Sequence, residues 1–257
     1  MQQLPAAKIA RLLTHWVAGH LPTPSEQHQL ATWLLQTPGY ANAWGITTAT
    51  ADVVVEERSR LFLELYPALA LFCQHTLKVP QPLVVCFWGV WLPLALHIAQ
   101  QHQQMGRPWI QGILGGQGTG KTTLALLLKL ILEHLGYRVL TLSLDDLYKT
   151  YRDRQQLRAA DPRLIWRGPP GTHDIDLGIQ VLDQLRQPLA GQLIQVPRFD
   201  KSAWQGQGDR TSPEIITPVD IVLFEGWFVG VRPIPSETFT SAPRRSSPPP
   251  TKTLPVT

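Results

Sequence analysis

The sequence predicts an α/β fold, a parallel sheet flanked by helices and preceded by a helical N-terminal region. Three observations carry that expectation. Short apolar runs alternate with helical periodicity between residues 106 and 235, the pattern of strands covered on both faces. A glycine-rich stretch stands between the first of those runs and a helix. Before residue 106 the apolar spacing is helical throughout. Length and composition agree, since 257 residues with 44% apolar and 16% charged side chains can bury one substantial core.

Residues 1–105 read as the helical region. Ile9, Leu12, Leu13, Trp16 and Val17 mark one apolar face, and Leu61, Leu63, Leu65 and Leu69 mark another. Pro22, Pro24, Pro38 and Pro80 punctuate it, and Gly106-Arg107-Pro108 reads as a hinge into the next unit. Residues 83–99 carry no charge and approach the length of a membrane span, but Gly89, Pro93 and His97 interrupt them. They are read as a buried helix or a strand–turn–helix piece, not a span. The tryptophans and leucines of this region read as core, and no chemistry is assigned to it.

Residues 106–235 read as the catalytic core. The expected strands are 110–114, 139–142, a weaker 193–196, and 221–224. Between the first two lies a helix with Leu124, Leu127, Leu128, Ile131 and Leu135 on one face, and Gly136 is placed to end it. From residue 236 to 257 the string SETFTSAPRRSSPPPTKTLPVT has a triple proline and no apolar periodicity, so it is expected to be disordered.

The chemistry begins at Gly115-x-x-x-x-Gly120-Lys121-Thr122, a Walker A pattern between a strand and a helix. Gly115, Gly116, Gln117, Gly118, Thr119, Gly120, Lys121, Thr122 and Thr123 are therefore assigned to a nucleoside triphosphate, ATP. Such glycines turn successive N–H groups inward at a helix N-terminus, which favours anions. Lys121 would reach the β- and γ-phosphates and Thr122 would offer its hydroxyl to Mg²⁺.

The second expected strand leads into Ser143-Leu144-Asp145-Asp146-Leu147-Tyr148. Carboxylates beyond the C-terminal end of a parallel strand face the ligand crevice. One could take the proton of an attacking hydroxyl or orient magnesium-bound water, while the other could cap the following helix. Asp145 is read as functional, serving base and metal, with Asp146 and Tyr148 assigned to the acceptor. Glu225, directly after the strand 221–224, takes a Walker B place and is assigned to magnesium. Arg167, Arg198, Lys201 and Arg210 could grip an anionic substrate or be solvated turn charges. His173 could carry a proton or be a hydrogen-bonded structural histidine.

Composition narrows the rest. A net charge of +4 without a basic stripe points to small anions and away from nucleic acid. Cys73 and Cys86 lack histidines at ligand spacing, which argues against zinc and a disulfide framework. They read as free thiols in a reducing cytoplasm, and no signal peptide is evident.

Taken together, GGQGTGKTT, SLDDLY, RGPPGTHD, PRFDKSAWQGQGDR and the strand ending FEGW resemble the plant and cyanobacterial type of D-glycerate 3-kinase. The resemblance runs to about Gly230, and RGPPGTHD with DKSAWQGQGDR narrows it beyond P-loop proteins in general. It implies transfer of the ATP γ-phosphoryl group to the 3-hydroxyl of D-glycerate, the last step of photorespiratory glycerate salvage. It places Lys121 and Thr122 on ATP and magnesium, Asp145 as base and Glu225 on the metal. Arg167, with Lys121 and Asp145, is assigned to catalysis; His173, Asp174, Arg198, Lys201 and Arg210 are assigned to the substrate. Kinases of this type continue past the Glu-Gly strand with a further strand and an arginine-bearing lid. No counterpart is found after Val231, so the sequence reads as truncated, with weak ATP binding and greatly reduced turnover expected. Other readings are a nucleoside or pantothenate kinase, and a non-catalytic ATP-binding protein.

Overall fold

Apolar residues at helical spacing build a layer of packed helices before the first strand. A computed structural model describes residues 6–79, 83–164, 166–189 and 191–239 of the chain. Helix α1 (Ala6–Val17) buries Ile9, Leu13 and Trp16. Helix α2 (Pro24–Leu35) begins at Thr23, whose hydroxyl accepts from the Glu26 amide while the Glu26 carboxylate accepts from the Thr23 amide. After the short α3 (Pro38–Ala43), the long α4 (Ala51–Phe72) buries Val55, Phe62, Leu65 and Leu69.

The uncharged stretch 83–99 is helical. It comprises α5 (Val84–Cys86), a π-helical turn at Phe87–Trp91, and α6 (Leu92–Met105). Val84–Met105 is long and apolar enough to cross a membrane by length and composition. In this fold Phe87, Trp88, Leu92, Ala95 and Ile98 are buried among the other helices. The π turn has a local cause. Pro93 has no N–H to give the Gly89 carbonyl four residues back, and that carbonyl accepts from Tyr40 Oη instead, at 2.7 Å. Arg58 in turn donates to Tyr40 Oη at 2.8 Å, so the defect is closed by a buried polar chain. Gly106, at φ +61°, ends α6 in the left-handed conformation and leads directly into the first strand.

The strands are β1 (Trp109–Leu114), β2 (Val139–Ser143), β3 (Ile194–Val196), β4 (Phe199–Asp200), β5 (Asp209–Arg210), β6 (Glu214–Ile216) and β7 (Ile221–Gly226). Helices α7 (Lys121–His134), α8 (Tyr151–Ala160) and α9 (Ile175–Arg186) lie between them. β7 is central, with β1 and β2 parallel on either side, so Trp109, Ile221 and Val139 stand in one row. One expectation is corrected here. The segment 193–196 forms a strand, but it lies outside the parallel sheet and pairs antiparallel with β6, Ile194 opposite Ile216. Residues 197–213, between them, are taken up by the β4–β5 hairpin, which turns the chain back so that β6 returns antiparallel to β3.

Side-chain alternation gives the sheet two covered faces. Ile221 and Leu223 of β7 join α7 and the N-terminal helices in one apolar cluster. Val222, with Leu140 and Leu142 of β2, faces α9 and β3 in a second. Ile221, Val222 and Leu223 are all fully buried, each contributing on the order of 1.5–3 kcal/mol of hydrophobic stabilisation. Gly136, at φ +89°, follows the last turn of α7 and turns the chain toward β2. The first residues of the Pro/Ser-rich segment, Ser236–Phe239, form a 3₁₀ turn, and the expectation of disorder for 240–257 lies outside the described residues.

Candidate active site

Parallel pairing brings two distant segments together. Leu114, the last residue of β1, stands opposite Gly226, so the glycine loop and Glu225 emerge at one sheet end. Gly118 and Gly120 hold φ of +73° and +83°, a region that glycine enters without strain, and Gly120 caps α7. Thr119 Oγ1 and Lys121 Nζ both donate to the Gly116 carbonyl, at 2.9 and 2.8 Å. The Lys121 ammonium is thus folded over its own loop. Thr122 Oγ1 donates to Glu225 Oε1 at 2.9 Å, and Glu225 is buried at the floor.

A cavity of about 530 Å³ opens over this loop. One wall is the loop itself, with Gly116, Gln117, Gly118, Lys121 and Thr122; Glu225 lies below it, and Asp145, Tyr148, Arg167 and Lys201 face it. Ser143, Gly168, Gly226 and Trp227 complete the lining and had not been singled out from sequence. Ser143 sits there because its hydroxyl accepts from the Asp145 amide at 3.2 Å and starts the 3₁₀ turn Leu144–Leu147. That turn aims Asp145 into the cavity, where its carboxylate meets Lys201 Nζ at 2.6 Å. Lys201 stands at the tip of the β4–β5 hairpin, which is the fold of the PRFDKSAWQGQGDR string. Arg167 donates to the Lys201 carbonyl at 3.3 Å and lies over Phe199. A Cβ at Gly208 would overlap both Arg167 and the Phe199 ring, so that glycine is a packing requirement.

Other candidates are held behind this wall. Asp146 accepts from the amides of Ser143 and Phe199 at 3.0 and 3.2 Å, and from Arg198 at 3.1 Å. Arg198 also pairs with Glu214 at 2.5 Å and donates to the Thr141 carbonyl at 3.0 Å. Burial pushes the Asp146 carboxyl up, against the pull of the Ser143 amide and Arg198. Asp174 caps α9 through the Leu177 amide and pairs with Arg210 at 3.1 Å. Burial alone would raise the Asp174 carboxyl, but the Leu177 amide and Arg210 outweigh it and leave it lowered. His173 stacks on Tyr148 with ring centres 4.3 Å apart, and burial lowers its pKa despite Asp145. None of these five residues lines the cavity.

Two outcomes follow from these contacts. Asp146→Ala removes three hydrogen bonds and leaves Arg198 partly unpaired in a mostly buried place. It is expected to cost about 3 kcal/mol, read by urea unfolding; a loss below about 1 kcal/mol would contradict that role. The Tyr148 phenol is pushed up to about 12 by burial first and then by Asp145. The fold therefore favours the neutral phenol. This contribution is full below the unfolded value of about 10 and is lost as pH rises through about 12. Burial raises Tyr40 and Tyr66 as well, so near-ultraviolet tyrosinate absorbance should show one fewer late-ionising tyrosine in Tyr148→Phe than in the unmodified chain.

The oxygen donors of the floor and the facing wall suit magnesium. The Thr122 hydroxyl, Glu225 and Asp145 are hard oxygen groups, and no cluster of three His, Cys, Asp or Glu exists among the described residues. Mg²⁺ keeps several waters and is held by one or two carboxylates plus phosphate oxygens, so this sparse set fits it.

No family model matches the chain. It is 37% identical over 138 residues to a chloroplastic D-glycerate 3-kinase of Arabidopsis thaliana, covering 51% of this chain and 30% of that protein. It is 35% identical over 150 residues to the uncharacterized kinase mug58 of Schizosaccharomyces pombe, covering 54% and 53%. The solved structure of the YGR205w protein superposes with a TM-score of 0.51 at 30% identity, covering 58% of this chain and 55% of that one. The fold is that of a P-loop protein, a parallel sheet with the glycine loop between β1 and α7. The similarity to D-glycerate 3-kinase extends over about half of this chain, and the chain spans 30% and 53% of the two curated relatives' lengths.

Proposed function

We propose that this chain transfers the γ-phosphoryl group of ATP to a hydroxyl of a small carboxylate-bearing acceptor, D-glycerate first among them. One observation carries the reading. A single cavity has a phosphate loop on one wall and, facing it, the Asp145 carboxylate paired with Lys201, with Arg167 in the same lining. Phosphoryl transfer needs positioning and charge neutralisation more than covalent catalysis, and these groups supply both.

In this mechanism the loop amides and Lys121 hold the triphosphate, with Lys121 leaving the Gly116 carbonyl to do so. Asp145 accepts the proton of the attacking hydroxyl. Lys201 and Arg167 hold the acceptor carboxylate and neutralise charge. Thr122, Glu225 and Asp145 would hold Mg²⁺, which when bound neutralises charge on the phosphate oxygens. Glu225 orients the Thr122 hydroxyl, so Glu225→Gln is expected to raise the Mg²⁺ needed for half-maximal activity by about 10–100-fold. A magnesium titration of turnover checks this. We place the protein in the cytoplasm on its two free cysteines, Cys73 and Cys86.

The test of the whole reading is ATP consumption with D-glycerate, uridine or pantothenate offered singly. Turnover with D-glycerate alone supports it. Turnover with uridine or pantothenate alone assigns another small-molecule kinase, and ATP binding without turnover on any acceptor assigns a nucleotide-binding protein.

A further inference from the structure

A second cavity, of about 510 Å³, opens on the far side of Arg167. Arg154, Arg158, Trp166, Arg167, Gln205 and Gln207 lie in its wall, and no carboxylate does. It shares only Arg167 with the cavity over the phosphate loop.

The charge in this wall is poorly matched. Arg154 is buried, and it donates to the carbonyls of Lys149 at 3.1 Å, Gln207 at 2.9 Å, and Gly208. Those partners satisfy its donors without cancelling its charge. Arg167 likewise donates to a carbonyl, that of Lys201, and Arg158 is exposed at the rim. Burial and then repulsion from Arg167 lower the Arg154 pKa, with Asp209 pulling the other way. Arg154 and Arg167 therefore repel across this wall, and an anion beside them relieves this.

The backbone beside these arginines is strained as well. Trp204 and Gln205 hold φ of +52° and +56°, consecutive non-glycine residues in the left-handed region. Trp204 is pinned there by stacking on Tyr151 at 4.7 Å and by donating to Asp209 at 2.9 Å. The turn leaves Gln205 and Gln207 in the cavity wall. Strain of this kind is kept where surrounding contacts enforce it, characteristically at ligand sites.

We propose that this cavity is a second anion site, taking a compact phosphate-bearing dianion between Arg158 and Arg167, with Gln205 as a further donor and Trp166 beside it. The site stands whichever alcohol the first cavity accepts, but because both cavities use Arg167 an anion here would draw that guanidinium away from the acceptor carboxylate.

Titration calorimetry is run on the Lys121→Ala chain, which weakens phosphate binding at the first cavity, and Arg158→Gln on that background reports on the second. Inorganic phosphate is expected to bind in one equivalent, and adding Arg158→Gln should weaken that binding about tenfold or more. Arg158 is exposed, so this change tests the cavity without touching the core. 3-Phosphoglycerate in a parallel arm separates the sources. Tighter binding than phosphate, with the same loss in Arg158→Gln, assigns a phosphate monoester, and equal affinity assigns free phosphate. Absence of binding by both on the Lys121→Ala background overturns the proposal. So does binding that Arg158→Gln leaves unchanged.

Discussion

Lys121→Ala is expected to lower kcat by about 10²–10³ and to weaken ATP binding, with little change in thermal stability. The direction follows from where the ammonium rests. It makes one bond, to the Gly116 carbonyl of its own loop, and supports no other part of the fold. Its loss costs little in the empty protein. In the loaded one it would remove the ammonium that reaches the β- and γ-phosphates. Steady-state turnover, equilibrium binding of an ATP analogue and a thermal melt measure the three quantities separately. Turnover within a few-fold of the unmodified chain would remove the phosphate loop from the mechanism.

Asp145→Asn is expected to lower kcat by about 10²–10⁴, the range for loss of a positioned general base, and to raise the Mg²⁺ needed for half-maximal activity, since Asp145 would also hold the metal. The substitution keeps the size and the backbone amide that Ser143 holds, so the 3₁₀ turn survives. It removes the charge opposite Lys201. The informative comparison is Asp146→Ala, whose cost falls on stability because its carboxylate is spent on Ser143, Phe199 and Arg198. If the neighbouring aspartates exchanged these phenotypes, the division of labour proposed here would be reversed.

That division shows what the sequence could and could not disclose. The strand–loop–helix around Lys121 is local, and each step was legible from spacing and residue type. Glu225 was legible because it follows an unbroken apolar strand. The pairing of Asp146 with Arg198 spans 52 residues and leaves no periodic trace in the sequence. β6 has three residues and was not anticipated; without it 193–196 read as a further parallel strand. Arg154 was not singled out at all. Its burial comes from carbonyls more than 50 residues away in sequence, at Gln207 and Gly208. Ser143 and Trp227 stood inside quoted strings, yet nothing in their residue type announced a place in the wall.

The apolar cluster shared by α7 and the N-terminal helices reaches beyond packing. Ala125, Leu128, Ile131 and Leu132 of α7 are buried in the same mass as Phe62, Leu65, Trp88 and Ile98. The helix that begins at Lys121 is therefore moored along its length by residues from the half of the chain that carries no chemistry. A docked nucleotide would push against a fixed post, and the helical layer would serve as its ballast. Damage deep in that layer, far from any phosphate, would then be felt first as slackness in the loop.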